Sequence, residues 1–234
     1  PGVEGPSLRP HLRYVLDQGA ANACVGFAFA QALDLGQRAC GVRNAPLPSA
    51  RWLYYAARRL EHEAPEPPPL RDEGTYPRLA VRALETLGYC PWDAWPYDAA
   101  RINDPPGMAA FQASYDQRGF ACLRIAETGS ARIEAVASAL RAGMPVVFGM
   151  EVDQAFLRHT GPSVLERVDT GARVGGHMLA VLDVSYRGVG FVNSWSAAWG
   201  DGGTAVLSPT LFGSDVVRDV YALAVGTHVL RGSA

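Results

Sequence analysis

The sequence predicts an α+β protein, helical in its first half and strand-rich in its second. Three observations carry this. Long apolar segments with helix caps precede Gly88, short runs of Val, Leu and Phe alternate with glycines after Gly143, and the bulk composition is that of a compact globule. Apolar residues make up 48% of the 234 and charged residues 19%, too apolar a balance for a disordered chain. That length suits one domain, 1–234, with room for two modest lobes.

Taken in order, Cys24 to about Ala39 carries apolar residues on nearly every side (Val25, Phe27, Phe29, Leu33, Leu35), which predicts a helix buried all round. Ser49 is placed to cap a helix bearing Trp52, Tyr55, Ala56 and Leu60. Arg78 to Leu87 reads as a further helix stopped by Gly88. Between these two, Glu61 to Gly74 holds four prolines, which no helix tolerates, and is expected to be an exposed loop. Arg132 to Ala142 presents Ile133, Val136 and Leu140 on one face, with Ser130 as its expected cap and Gly143 as its stop. Strands are expected at Pro145–Met150, His177–Tyr186, Gly190–Trp195, Thr204–Leu207 and Val220–Val225. Their short connections imply an antiparallel sheet or barrel, and helices followed by strands imply two halves that meet at a cleft.

The formal net charge is −2 with Lys and Arg scattered, so the basic stripe needed to follow a phosphate backbone is missing and nucleic acid is not an expected partner. The longest apolar stretches, Ala23–Ala30 and Met144–Met150, fall short of the ~18 residues that read as a membrane span. A soluble protein with no membrane partner is expected. The first ten residues lack the basic start and apolar core of a secretory signal, which leaves the compartment open between cytoplasmic and exported. Four cysteines (Cys24, Cys40, Cys90, Cys122) are too few and too irregularly spaced for a disulfide framework or a paired zinc site.

Free cysteines are mostly packed core residues, but Cys24 opens the long helix, where unpaired amides and the helix dipole favour a thiolate. Of the five histidines, His177 alone follows a glycine pair (Gly175, Gly176) and opens an apolar run, MLAVLDV. Sixteen residues later stands Asn193. A strand, a turn at Arg187 to Gly190 and a returning strand would bring its amide to the imidazole, the orienting role in a nucleophile, base and orienter arrangement.

These residues match a known family. DQGAANACVGFAFA resembles the nucleophile segment of papain-like cysteine peptidases, with Gln18 six residues before Cys24. GGHMLAVLDV resembles their histidine strand, and NSWSAAWGDGG their asparagine segment, with Asn193, Ser194, Trp195, Trp199, Gly200 and Gly203 in place. The three motifs keep order and separation from residue 18 to 203. The resemblance implies the papain-like two-lobed fold. A mainly helical lobe would cover about 11–118, and an antiparallel, barrel-like lobe about 119–230 plus the N-terminal segment, with the active site in the cleft between them.

It also implies that Cys24 attacks the scissile carbonyl, that His177 is its ion-pair partner, and that Gln18 and the Cys24 N–H hold the oxyanion. Trp195 would shield the His177–Asn193 bond. Gly74 would offer backbone to an extended polypeptide substrate, with Thr75 beside it. Tyr76, Pro77 and Met178, near Gly175 and Gly176, would border a pocket for an apolar residue second before the cut. No metal or cofactor enters this expectation; an inhibitory pro-segment or protein inhibitor does. Several positions depart from the family. Val25 stands where it usually has Trp, and Thr75 replaces the second glycine of a pair. Ala21 replaces a cysteine, so a disulfide common in secreted members cannot form, which fits bacterial-looking members. Asn22 replaces a glycine and is expected to keep that turn through a left-handed backbone. An exopeptidase, amidase or acyl transferase with the same triad, and a binding module without turnover, are the competing readings.

Overall fold

The structure, a computed structural model, describes residues 5–42, 44–62 and 68–225. In chain order the elements are α1 (Cys24–Ala39), α2 (Ala50–Arg59), α3 (Pro77–Leu87), α4 (Met108–Tyr115), β1 (Phe120–Ile125), α5 (Gly129–Arg141), β2 (Val146–Asp153), α6 (Gln154–Leu157), β3 (Val164–Leu165), β4 (Arg173–Ser185), β5 (Gly188–Val192), β6 (Thr204–Leu207), α7 (Pro209–Gly213) and β7 (Val217–Val225). Of the expected loop Glu61 to Gly74, the part at 63–67 lies outside the described residues.

α1 is buried from Val25 to Gln37, because it runs between α2 on one side and β4 on the other. Gly26 permits the first of these approaches: a Cβ there would meet Ala50 O at 2.3 Å and Tyr54 Cβ at 2.9 Å. The one carboxylate inside the helix, Asp34, is paired to Arg38 at 2.7 Å, so the charge is not left alone in the core. Ser49 caps α2, its hydroxyl accepting from Trp52 N at 3.1 Å. α3 ends at Gly88, whose φ of 71° suits glycine best.

Seven strands form one sheet in the order β1-β7-β2-β4-β5-β6-β3, antiparallel except for the short β3–β6 pair. Phe148 of β2, Phe191 of β5 and Phe212 of α7 pack ring to ring at 5.2 to 5.8 Å beneath α5. Each such fully buried side chain contributes about 2 kcal/mol of transfer free energy. The N-terminal segment lies on β4, where a register shift between Val181 and Asp183 leaves the Leu182 carbonyl to accept Leu8 N–H at 2.7 Å.

Three local expectations are corrected. α5 begins at Gly129 after Thr128, so Ser130 lies inside the helix and does not cap it. The β4–β5 turn falls at Tyr186 and Arg187, since Ser185 already pairs with Gly188. β4 starts at Arg173 rather than at His177. Glycines are poor strand formers, but here Gly175 and Gly176 pair with Val152 and Glu151 of β2, and an Arg173–Glu151 ion pair at 2.7 Å closes the end.

Candidate active site

Gln18 and Cys24 are presented by a short turn ahead of α1. Asp17 bridges to Trp195, and Gln18 N–H donates to Ser194 O at 2.9 Å, so the turn is stitched to the segment after β5. Its left-handed residue is Gly19, at φ 56°, steadied by Gly19 N–H on Asp17 Oδ1 at 2.8 Å. Asn22 does not adopt the left-handed backbone expected of it. Its N–H and side-chain amide bind Asp72 instead, which holds the turn from outside.

The Gln18 side chain is buried and fixed at both ends: Nε2 donates to Ala21 O and Oε1 accepts from Ser194 Oγ, each at 2.7 Å. One Nε2 hydrogen remains for the cavity that Gln18 lines. Cys24, half-buried, is the first residue of α1, and no side chain caps that helix end. Its first N–H groups therefore have no side-chain partner.

His177 comes from the middle of β4 and Asn193 from the end of β5. His177 Nε2 lies 2.7 Å from Asn193 Oδ1. Ser194 N–H donates to the same oxygen at 2.7 Å, and since a backbone N–H can only donate, the atom facing the ring must be the amide oxygen. Nε2 then carries the proton and Nδ1 is left as the acceptor. Trp195 stacks on the imidazole and Phe156 meets it edge-on. Trp199 supports both, its Nε1 donating to Phe156 O at 3.0 Å.

Cys24 and His177 line two adjoining cavities, of about 640 and 400 Å³. Gln18, Gly74, Thr75, Tyr76, Gly175, Gly176 and Trp195 border the first, and Thr75, Pro77, Gly175, Gly176 and Met178 the second. All the candidate substrate residues thus reach the cleft. Gly74 needs its glycine, with φ at 85°, and the Thr75 hydroxyl is buried without a partner among the described residues.

Burial pushes the Cys24 thiol up, against the pull of the N–H groups of Met178, Val25 and Cys24 itself. Burial also pushes the His177 imidazole down to about 4, against the Asn193 bond. Each group taken singly is therefore neutral at pH 7. A charged pair forms only by moving the sulfur proton onto Nδ1, so that each new charge offsets the desolvation of the other. Among the described residues no group of three or more His, Cys, Asp and Glu stands where it would hold a metal ion. No described helix is long and apolar enough to cross a membrane.

Solved structures with the same chain path carry the decisive comparison. Xylellain, a cysteine protease from Xylella fastidiosa, superposes with a TM-score of 0.79 over 94% of this chain and 85% of its own, at 21% identity. A Carica candamarcensis cysteine protease in complex with E-64 gives 0.70 over 94% and 98%, at 18% identity. Procathepsin B S9 from Trypanosoma congolense gives 0.71 over 97% and 78%, at 17% identity. The fold is that of the papain-like cysteine proteases. In sequence, an uncharacterized peptidase C1-like protein of Acanthamoeba polyphaga mimivirus is 27% identical over 194 residues, 79% of this chain. The chain spans 61% of that relative's length. No protein-family model matches the chain.

Several residues around this papain-like cleft escaped the sequence reading. Phe156 sits in an unremarkable stretch, and only its packing against His177 and Trp195 distinguishes it. Tyr54 and Asp72 lie far apart in sequence and meet in the fold. Asp219, at the rim of the second cavity, has a φ of 50° at a register break between β2 and β7.

Proposed function

We propose that the protein is a cysteine peptidase that hydrolyses polypeptide through a thioester acyl-enzyme. The observation that carries this reading is the 2.7 Å bond that fixes His177 Nε2 on Asn193 Oδ1 and leaves Nδ1 free in a cleft shared with Cys24. In the first half-reaction the Cys24 proton passes to Nδ1 and the sulfur bonds the scissile carbonyl carbon. The resulting oxyanion accepts from Cys24 N–H and the spare Gln18 Nε2 hydrogen. When it collapses the C–N bond breaks, and the leaving amine takes the proton from His177. Water then attacks the thioester, giving one proton to His177 and its hydroxyl to the acyl carbon; the C–S bond breaks, the acid leaves, and the sulfur takes back the proton from His177.

An endopeptidase accepting an apolar residue second before the cut is the form the cleft supports. Pro77, Met150, Met178 and Val216 give the second cavity apolar walls. Arg173 and Arg218, which also line it, are engaged by Glu151, at 2.7 and 3.4 Å. The E-64-bound and pro-form neighbours support an inhibitor or pro-segment as further occupants. In this reading the chain is one domain whose lobes are about 11–118 and about 119–230 with the N-terminal segment.

Glu61 and Glu73 on the rim of the first cavity favour a narrower form, an exopeptidase that anchors a free α-amine. Two measurements separate these readings. Iodoacetamide near pH 6 should alkylate Cys24 much faster than Cys40, Cys90 and Cys122, and equal, slow labelling of all four would point to a module without turnover. Internal fragments from an unfolded protein, lost in Cys24→Ala, mark the endopeptidase, whereas dipeptides released only from free N-termini mark the exopeptidase.

A further inference from the structure

Asp72 stands two residues before Gly74, where the chain enters the substrate edge of the cleft. α2 holds this stretch through two buried side chains. Arg58 Nη1 donates to Arg71 O at 2.8 Å, and Tyr54 Oη donates to Asp72 Oδ1 at 2.6 Å while accepting Gly74 N–H at 3.0 Å. The opposite side of the carboxylate faces the nucleophile turn. Asn22 N–H is shared between both Asp72 oxygens at 3.1 Å, and Asn22 Nδ2 donates to Asp72 O at 2.7 Å. One carboxylate thus joins the turn that carries both oxyanion donors to the loop segment that carries Gly74.

We propose that Asp72 is a positioning residue: it locks the Gln18–Cys24 turn to the Gly74 edge of the cleft and so holds the oxyanion donors in register with the bound substrate. The inference rests on reading Cys24 as the nucleophile. Charge-assisted bonds of this kind are about twice as strong as neutral ones, and an error of 1 Å in a donor's place can cost about 10²-fold in rate. The carboxylate has a second, separable effect, because its negative charge disfavours a thiolate at Cys24 and adds to the effect of burial. The other titratable groups facing Asp72 are Tyr54 and Arg58 of α2, Tyr97, and the Arg71–Glu73 pair of its own loop at 3.9 Å. Facing Cys24 from β4 is His177.

Asp72→Ala and Asp72→Asn in the full chain test this with peptide kinetics and with the pH dependence of Cys24 alkylation by iodoacetamide, read by mass spectrometry. Asp72→Ala is expected to lower kcat about tenfold with KM within about twofold. Asp72→Asn, which keeps an oxygen for Tyr54 and Asn22, should recover most of that loss. Both should move the alkylation midpoint to lower pH, because a negative charge has left the sulfur's surroundings. Wild-type kcat in Asp72→Ala, or no recovery of activity in Asp72→Asn, overturns the proposal. If the wild-type chain labels at Cys24 yet cuts no peptide, the peptidase reading fails. Amide exchange at Asn22 then decides the clamp, faster exchange in Asp72→Ala sustaining it and wild-type exchange ending it.

Discussion

The ring of Trp195 lies over that of His177, centroids 4.4 Å apart and planes 26° from parallel. This contact is the nearest part of the apolar cover that drives the imidazole down to about 4, since a buried ring loses the hydration of its charged form. Trp195→Ala should therefore raise the His177 pKa toward its ordinary value and let water compete for the Nε2–Asn193 bond. We expect kcat/KM to fall about tenfold or more, as for loss of an oriented general base. An NMR titration of the His177 ring that stays near 4 in the variant would show that Trp195 is not the cover.

The same depressed value couples stability to pH. Between about 4 and the unfolded value near 6.5 the unfolded chain binds a proton at this position that the folded chain does not. His177 thus contributes stability that is present above 6.5 and is lost as pH falls toward 4. The slope approaches about 1.4 kcal/mol per pH unit for one proton. His177→Gln, which cannot charge, should flatten the fall in Tm across that window. Parallel Tm profiles for the two proteins would be the contrary result.

Gln18 is held by Ala21 and Ser194 so that one Nε2 hydrogen is free for the cleft. A donor aimed at an oxyanion stabilises the transition state more than the bound substrate. Gln18→Ala should lower kcat by about 10²-fold with KM little changed. Ser194→Ala should give a smaller loss of the same kind, because it removes only the Oγ–Oε1 bond that holds the amide. A KM effect without a kcat effect would remove Gln18 from the oxyanion site.

What the sequence made legible follows the range of the forces involved. α1, α2 and α3 were readable because caps at Ser49 and Gly88 and local apolar spacing fix them within a few residues. β1 was not: its burial alternates poorly, with Ala121, Leu123 and Arg124 exposed, and it is a strand because β7 offers it an edge. The order Cys24, His177, Asn193 was readable as motifs, and the meeting of the last two needed only one turn between β4 and β5. Asp72 was hidden inside a proline-rich loop, since its partners Asn22 and Tyr54 are 50 and 18 residues away. Asp219 was hidden for a different reason, as only the slip of register opposite Phe148 gives it a left-handed backbone and turns it to the cleft.

That bulge makes a prediction about selectivity. Asp219 lines the second cavity with Met178, Glu151, Arg173 and Arg218, and the ion pairs that the two arginines make there go to Glu151. Its carboxylate is placed to receive a basic side chain whose stem lies on the apolar walls. Asp219→Ala should lower kcat/KM about tenfold, or about 1.4 kcal/mol, for peptides with Arg second before the cut, and leave Leu peptides unchanged. Equal losses for both peptides would mean that Asp219 acts on the fold rather than on the substrate.

Gly26 tests how far the cleft depends on the distance between helices. An added methyl there points at the Ala50 carbonyl and the Tyr54 backbone, neither of which is the flexible tip of a side chain, so α2 must move away from α1. Overpacking of this kind costs about 1–3 kcal/mol. Tyr54 would move with α2, and with it the hydroxyl that Gly74 N–H and Asp72 share. Gly26→Ala should therefore lower Tm and also lower kcat at temperatures where the protein remains folded. Gly36→Ala, crowded instead by the Pro145 ring at 2.5 Å, should lower Tm with kcat intact. If both variants lost kcat in proportion to Tm, the close approach at Gly26 would matter for stability alone.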